Sequence, residues 1–332
     1  MNRFIQSLLV IFALVLWIGP QTVWSDSPLR GPAFDTNRKE LTFFKPAWIQ
    51  QPVQYQDGQK NLDLHVTLDQ HFFLPGNRLI NAYAKKHNLR VSVQEGTCGT
   101  TAGKLGAKAA DIGGFCCPPG PTDRLPGLQF HTIGIVPNVF ITHPNNPLEN
   151  ITMTEAQELF SGEIDRWNQL SDPKAKAFKK KVRPITRLHC KIRPGHWRAV
   201  LDNEDLFSPI IHNVGTIPDM MDSVAANSRA IGWVAHWLLE QNENAKRVNM
   251  LKIDGIHPND VEAIAAGRYP TYKVLVLSSW HGAAAKPEAD KLIEHLLSIK
   301  NFSPESRIIP AHLLRENGWK FDGNELVGEP GE

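Results

Sequence analysis

The chain has 332 residues and a mass of 37.2 kDa, enough for one large domain or two ordinary ones. Apolar residues make up 42% and charged residues 21%, ordinary globular usage that excludes wholesale disorder. Lys and Arg total 36 against 34 Asp and Glu, so bulk positive charge does not argue for nucleic acid as a partner, and four cysteines are too few for a disulfide-dense mini-scaffold.

The first residues read as an address. Met1-Asn2-Arg3 is a short basic start, and 8–19 is an uninterrupted apolar run. Val23 and Ser25 stand as small cleavage-site residues. The pattern predicts a secretory signal over 1–25, cut after Ser25. The apolar run is shorter than the roughly 20 residues a membrane span needs. No cysteine precedes Cys98, so the cut carries no lipid-attachment cysteine. The expectation is an exported, periplasmic chain, not membrane-embedded, in a compartment where disulfides form.

Segment 26–60 is polar, with several prolines and little periodicity, and reads as a weakly structured N-terminal arm. Leu62, Leu64, Val66 and Leu68 alternate with polar residues as in a strand. Leu79, Ile80 and Tyr83 recur at helical spacing within 77–86. A strand follows at 89–94, a helix at 101–110 and a strand at 109–113. This rhythm predicts an α/β fold with a largely parallel sheet.

Further on, 133–142 is strand-like. Segment 150–162 is a helix, with a capping box from Thr152 and Glu155 and a stop at Gly162. A strand is expected at 182–188 and helices at 195–201 and 219–226. Then come a strand at 230–235, a helix at 259–266 closed by Gly267, and a strand at 272–277. Helices at 287–298 and 304–317 finish the chain.

Two turns carry anion-type chemistry. Glu95-Gly96-Thr97-Cys98-Gly99-Thr100-Thr101 follows a strand and opens a helix, where free backbone N–H groups and the helix dipole favour negative charge. Thr97, Thr100 and Thr101 add hydroxyls. The second turn runs from Arg187 through His189, Cys190 and Pro194-Gly195 to His196, and Arg187 suits a bidentate contact to an anion. A bare helix cap and a solvated basic loop are the plain alternatives for the two segments.

Cys98 and Cys190 sit in these turns, and Cys116-Cys117 follow a strand. Adjacent cysteines rarely bond to each other. A disulfide, for instance from Cys98 to Cys116 or Cys117, is one outcome. A transition metal held by Cys98, Cys116, Cys117 and Cys190 with His189, His71 or His196 is another. Inert thiols are the third. No nucleophile with a positioned base stands out, so an enzyme is not expected.

Several segments together resemble the phosphate-binding, PstS-like periplasmic solute-binding proteins of ABC transporters. They are Ile135 through His143-Pro144-Asn145-Asn146-Pro147, Ile151-Thr152 through Phe160-Ser161-Gly162-Glu163-Ile164 with Trp167, and Ala230-Ile231-Gly232-Trp233-Val234. Ile253-Asp254-Gly255 and Gly267-Arg268-Tyr269-Pro270 complete the set. The resemblance implies a type II periplasmic-binding-protein fold. Two α/β lobes, 61–136 plus 270–332 and 137–269, would be joined by a hinge around an interlobe ligand cleft.

It also implies a small anionic ligand, an ABC permease as partner, a monomer and no catalysis. Carried onto this chain, the cleft set is Gln70, His71, Thr97, Cys98, Gly99, Thr100, Thr101, Cys116, Arg187, Cys190, Gly195 and His196. Cys98 takes the place of a family hydroxyl and Cys116 that of a proton-accepting carboxylate. The replacements share a direction, from hard oxygen groups to thiols and imidazoles. The alternative function on the same fold is therefore a soft-metal-binding or redox-sensing protein.

Overall fold

The structure, a computed structural model, describes residues 29, 33–55, 61–188, 199–202, 204–241 and 246–331. The predicted signal, and His189, Cys190, Gly195 and His196, lie outside them, as does most of the helix expected at 195–201.

The arm opens with α1 (Pro46–Ile49). A first run of strands and helices follows: β1 (Leu64–Asp69), α2 (Gln70–His87), β2 (Val91–Gly96), α3 (Cys98–Gly106), β3 (Ile112–Phe115) and the long β4 (Leu128–Thr142). The middle of the chain holds β5 (Asn150–Ile151), α4 (Met153–Ser161), β6 (Arg183–Thr186), β7 (His212–Asn213), α5 (Ile217–Ala225), β8 (Ala230–Ala235) and α6 (His236–Glu240). The return comprises β9 (Asn249–Met250), β10 (Lys252–Ile253), α7 (Val261–Ala265), β11 (Tyr272–Trp280), α8 (Pro287–Leu297), β12 (Ile309–Pro310), α9 (Ala311–Glu316), β13 (Lys320–Asp322) and β14 (Glu325–Gly328).

Eight strands line up in the order β2-β1-β3-β11-β4-β8-β6-β7, with β9 and β12 also pairing to β4. The flanks are parallel: β1 with β2 and β3 on one side, β6 with β7 and β8 on the other. The centre is antiparallel, through β11 with β3 and β4, and β4 with β8. The sheet is thus mixed, not largely parallel as the local rhythm suggested. A helix between strands signals a parallel crossover, but β4 and β11 are brought together from far apart in sequence.

β4 serves both flanks in turn. Its residues up to Pro137 pair with β11, and from Asn138 onward they pair with β8. Around this switch Tyr269 Oη donates to the Asn138 carbonyl at 2.7 Å, and Asn138 Nδ2 donates to Thr271 Oγ1 at 3.1 Å.

Each flank has its own apolar filling. Leu64, Val66, Leu68, Phe72, Ile80, Leu275, Leu277, Leu292, Ile293 and Leu296 pack α2 and α8 onto the first. Val139, Ile141, Ile185, Met220, Met221 and Val224 pack α5 onto the second. All six residues of β1 are buried, the polar His65 and Thr67 included, because helices cover both faces.

Two expectations change. The helix foreseen over 304–317 is broken. Arg307 has φ +52°, Ile309 and Pro310 pair with β4, and only Ala311–Glu316 is α-helical. A proline ring cannot continue the helix into the preceding turn. The arm is indeed poor in secondary structure, but residues 33–55 are docked. Leu41 N–H donates to the Arg124 carbonyl and Gln54 N–H to the Lys108 carbonyl, both at 2.8 Å. Trp48 Nε1 donates to the Gly106 carbonyl at 3.1 Å. Lys108 Nζ lies 4.5 Å from the Trp48 ring and 3.8 Å from the Trp280 ring. The capping box of α4 and the left-handed Gly162 stand as foreseen.

Candidate functional site

Parallel strands bring their carboxyl ends to one edge, where open α/β sheets place ligands. Asp69 ends β1 opposite Gly96, the last residue of β2. Thr97 and Cys98 follow β2, and Cys116 and Cys117 follow β3. β11 runs antiparallel to β3, with Val276 opposite Phe115, so its amino end carries Lys273 past the exit of β3. Arg187 follows β6 on the other flank.

Asp69 is the node. It caps α2, which begins at Gln70, seven residues ahead of the expected start. Asp69 Oδ1 accepts from His71 N–H at 2.9 Å and from His71 Nδ1 at 2.8 Å. Asp69 Oδ2 accepts from Cys98 N–H at 3.1 Å and from the Cys98 thiol at 3.4 Å. Cys98 Sγ lies 3.4 Å from Cys116 Sγ and 4.0 Å from Cys117 Sγ. The relative exposures are 1% for Asp69 and Cys98, 2% for Cys116 and His71, and 1% for Lys273.

The charges follow from this packing. Burial opposes ionisation of Asp69, but the charge and hydrogen bonds of His71 and the charge of Lys273 outweigh it and hold the carboxyl at about 2. Hydrogen bonds from Cys116 and Cys117, then burial and the Asp69 charge, push the Cys98 thiol well up. The Cys116 thiol is pushed up by its bond to Cys117, with burial and Asp69 adding to it. Burial works against a charged His71, yet the neighbouring Cys116 and Asp69 raise its pKa despite Lys273.

Arg187, 6% exposed, reaches from the second flank. Its Nε donates to the Gly215 carbonyl at 2.9 Å. With its amide oxygen facing Arg187, Gln70 accepts from the two Nη atoms at 2.5 and 3.3 Å. Lys273 on β11 lies 5.5 Å from the ring of Trp233 on β8. Two buried cations thus meet the opposite flank at the same strand ends.

The structure therefore gathers Gln70, His71, Cys98, Cys116, Cys117 and Arg187, all named from the sequence. Thr97 caps α3, accepting from Thr100 N–H at 3.2 Å, and Gly99 and Thr100 are exposed on its first turn. Thr101 is turned inward, its methyl against Gly113. Asp69 and Lys273 were missed. Asp69 had a signal, an N-cap residue immediately after an alternating apolar strand. Lys273 had none, since a lysine opening a Val/Leu strand reads as a solvated end. Among the described residues, no disulfide links Cys98 to Cys116 or Cys117. Their separations exceed the roughly 2.05 Å of a disulfide.

No helix among the described residues is long and apolar enough to cross a membrane. No curated protein matches the chain. A profile described as a PBP superfamily domain matches residues 76–298. Among solved structures, the chain is similar to a putative phosphate ABC transporter substrate-binding protein with bound phosphate from Clostridium perfringens. There the TM-score is 0.61 at 15% identity, over 75% of this chain and 99% of that one. An ABC-type phosphate transport receptor from Vibrio cholerae gives 0.58 at 16%, over 78% and 100%. PstS from Borrelia burgdorferi gives 0.52 at 16%, over 77% and 96%. At such identities the likeness shows fold, and together with the matched profile it places this chain in the PBP superfamily, on the type II binding-protein fold of the PstS-like phosphate receptors.

Proposed function

We propose that the chain is an exported solute receptor that binds a small anion between two lobes, 61–136 plus 270–332 and 137–269, and delivers it to an ABC permease. The signal over 1–25 would take it to the periplasm, where it would act as a monomer. The observation that carries the reading is the meeting of Arg187 with Gln70. A buried guanidinium from one flank stands at a strand end of the other, where Lys273 is also buried. Fixed cations in a water-poor cleft attract an anion far more strongly than they would in water. Thr97, Gly99 and Thr100 line the first turn of α3, whose free amides add to that attraction. Gly195, His196 and Cys190, expected from the sequence in the ligand set, lie outside the described residues.

The phosphate bound to the Clostridium perfringens relative suggests the class of ligand to try first. The chemistry of the floor differs from simple oxyanion recognition. Asp69 stays ionised, so its charge opposes a fully deprotonated anion there.

Thiol-based catalysis and thiol redox sensing both need an accessible, activated thiol. Asp69 orients His71 as in a Cys-His-Asp arrangement, but the thiols are buried and pushed up, the opposite of activation.

Calorimetric titration with phosphate, arsenate and sulfate tests the receptor. Arg187→Ala should weaken the bound anion by about 2–5 kcal/mol, as expected when one partner of a desolvated charge pair is removed. Unchanged affinity in that variant would remove Arg187 as the clamp.

A further inference from the structure

We propose that Asp69, Cys98 and Cys116 form a site for one thiophilic metal ion of the Zn(II) class in the cleft floor. The inference goes beyond the anion receptor and stands whether or not the cleft takes an anion.

The donor atoms of Asp69, Cys98 and Cys116 all lie within 4.8 Å of one another, and all three residues are buried. They come from three separate elements, the ends of β1 and β3 and the start of α3, so no single loop explains their meeting. Their spacing is that of a tetrahedral ion. Bonds of about 2.3 Å to sulfur and 2.1 Å to oxygen put two thiolates about 3.8 Å apart and a thiolate and a carboxylate oxygen about 3.6 Å apart. The Cys98 and Cys116 sulfurs stand 3.4 Å apart, and the Cys98 Sγ to Asp69 Oδ2 distance is 3.4 Å. Small shifts would seat an ion without moving the backbone.

The surroundings have the form of an outer ligand shell. His71 Nδ1–H and two backbone amides fix the Asp69 carboxylate, as partners do for metal-bound carboxylates. Two thiolates and a carboxylate leave a divalent ion with one net negative charge, and the buried Lys273 stands near enough to lower the Asp69 pKa through its charge. Sulfur donors select Zn(II) or Cu(I) over Mg(II) and Ca(II), which want oxygen. Binding exchanges the Cys98 and Cys116 protons for the ion and releases both to solvent, with no change of oxidation state. Affinity therefore falls as pH falls.

The competing outcome of the same proximity is a Cys98–Cys116 disulfide formed by an external oxidant. The deciding experiment uses the full mature chain, purified reduced, with its thiols counted, and titrated with Co(II). The expected result is one Co(II) per chain, a thiolate-to-cobalt charge-transfer band, displacement by equimolar Zn(II), and two protons released per ion. Cys116→Ser and Asp69→Asn should each weaken binding at least about tenfold, the loss that even an outer-shell partner carries.

No charge-transfer band from the reduced chain overturns the site, as does a band that persists in a Cys98→Ser/Cys116→Ser double variant. Should a variant fail to fold, the stoichiometry and band of the unaltered chain decide. Phosphate titration of the same sample reads the receptor separately. Lost Co(II) binding with retained anion binding removes only the metal site. The reverse removes only the anion reading.

Discussion

Both oxygens of Asp69 are occupied, Oδ1 by the amide and ring of His71 and Oδ2 by the amide and thiol of Cys98. One side chain thereby closes the start of α2 and holds the start of α3. Asp69→Ala leaves the Cys98 amide and the His71 ring without this acceptor inside the protein. A destabilisation of roughly 2–4 kcal/mol is expected from two such buried donors, read as a lower urea midpoint with an unchanged slope. A loss below 1 kcal/mol would mean that water or a rearranged neighbour replaces the carboxylate. At this scale the sequence showed which residues were chemically unusual. The thiols and Arg187 were legible because they stand in or just past strand-exit turns, whereas Gln70 and His71 came only from the family resemblance. Asp69 looked like an ordinary helix cap, and its second role exists only through Cys98, which lies 29 positions later.

Among the elements, the regular ones were readable and the irregular ones were not. α4 was complete in sequence, because a capping box and a terminal glycine are local devices. The last stretch was misread because Leu313 and Leu314 keep a helical rhythm that Arg307 and Pro310 interrupt. What stabilises the broken form is non-local: β12 pairs with β4 at Ile135 and Gly134. Gly134 is required by closeness alone. A Cβ there would stand 2.2 Å from the Ile309 carbonyl oxygen. Gly134→Ala should therefore push β12 off the sheet and cost about 1–3 kcal/mol, with faster hydrogen exchange at Pro310-adjacent amides. A neutral substitution would show that β12 moves freely. The arm makes the same point. Polar, proline-containing sequence gives no periodicity, yet Trp48 finds Lys108 and Trp280 on the body. Such docking has no sequence period to reveal it.

For the whole molecule, stability should depend on acid in two stages. Burial holds His131 and His236 at about 4, so both are neutral in the fold. In the unfolded chain they protonate near 6.5. Between pH 6.5 and 4 the unfolded state binds more protons, and stability falls as pH falls, by at most roughly 3 kcal/mol for each histidine. Asp69 is also depressed, to about 2 from 3.8. Its contribution is complete above pH 3.8 and is lost between 4 and 2. Thermal unfolding from pH 8 to 3 should show the first decline beginning near 6.5, and the double variant His131→Gln/His236→Gln should flatten it. A flat profile down to pH 4 in the unaltered chain would contradict the neutral burial of these rings.

Composition, periodicity and a handful of motifs determined that this is an α/β chain of the binding-protein type, with its unusual residues at strand-to-helix turns. Those features are local, and a strand or a capped helix writes its period into neighbouring residues. Tertiary structure alone decided the antiparallel centre of the sheet, the docking of the arm and the broken final helix. It alone brought Asp69, Cys98, Cys116, Lys273 and Arg187 to one edge. Each of these depends on contacts between residues far apart in the chain, where side-chain burial and the pairing of strand ends, not sequence spacing, set which groups meet.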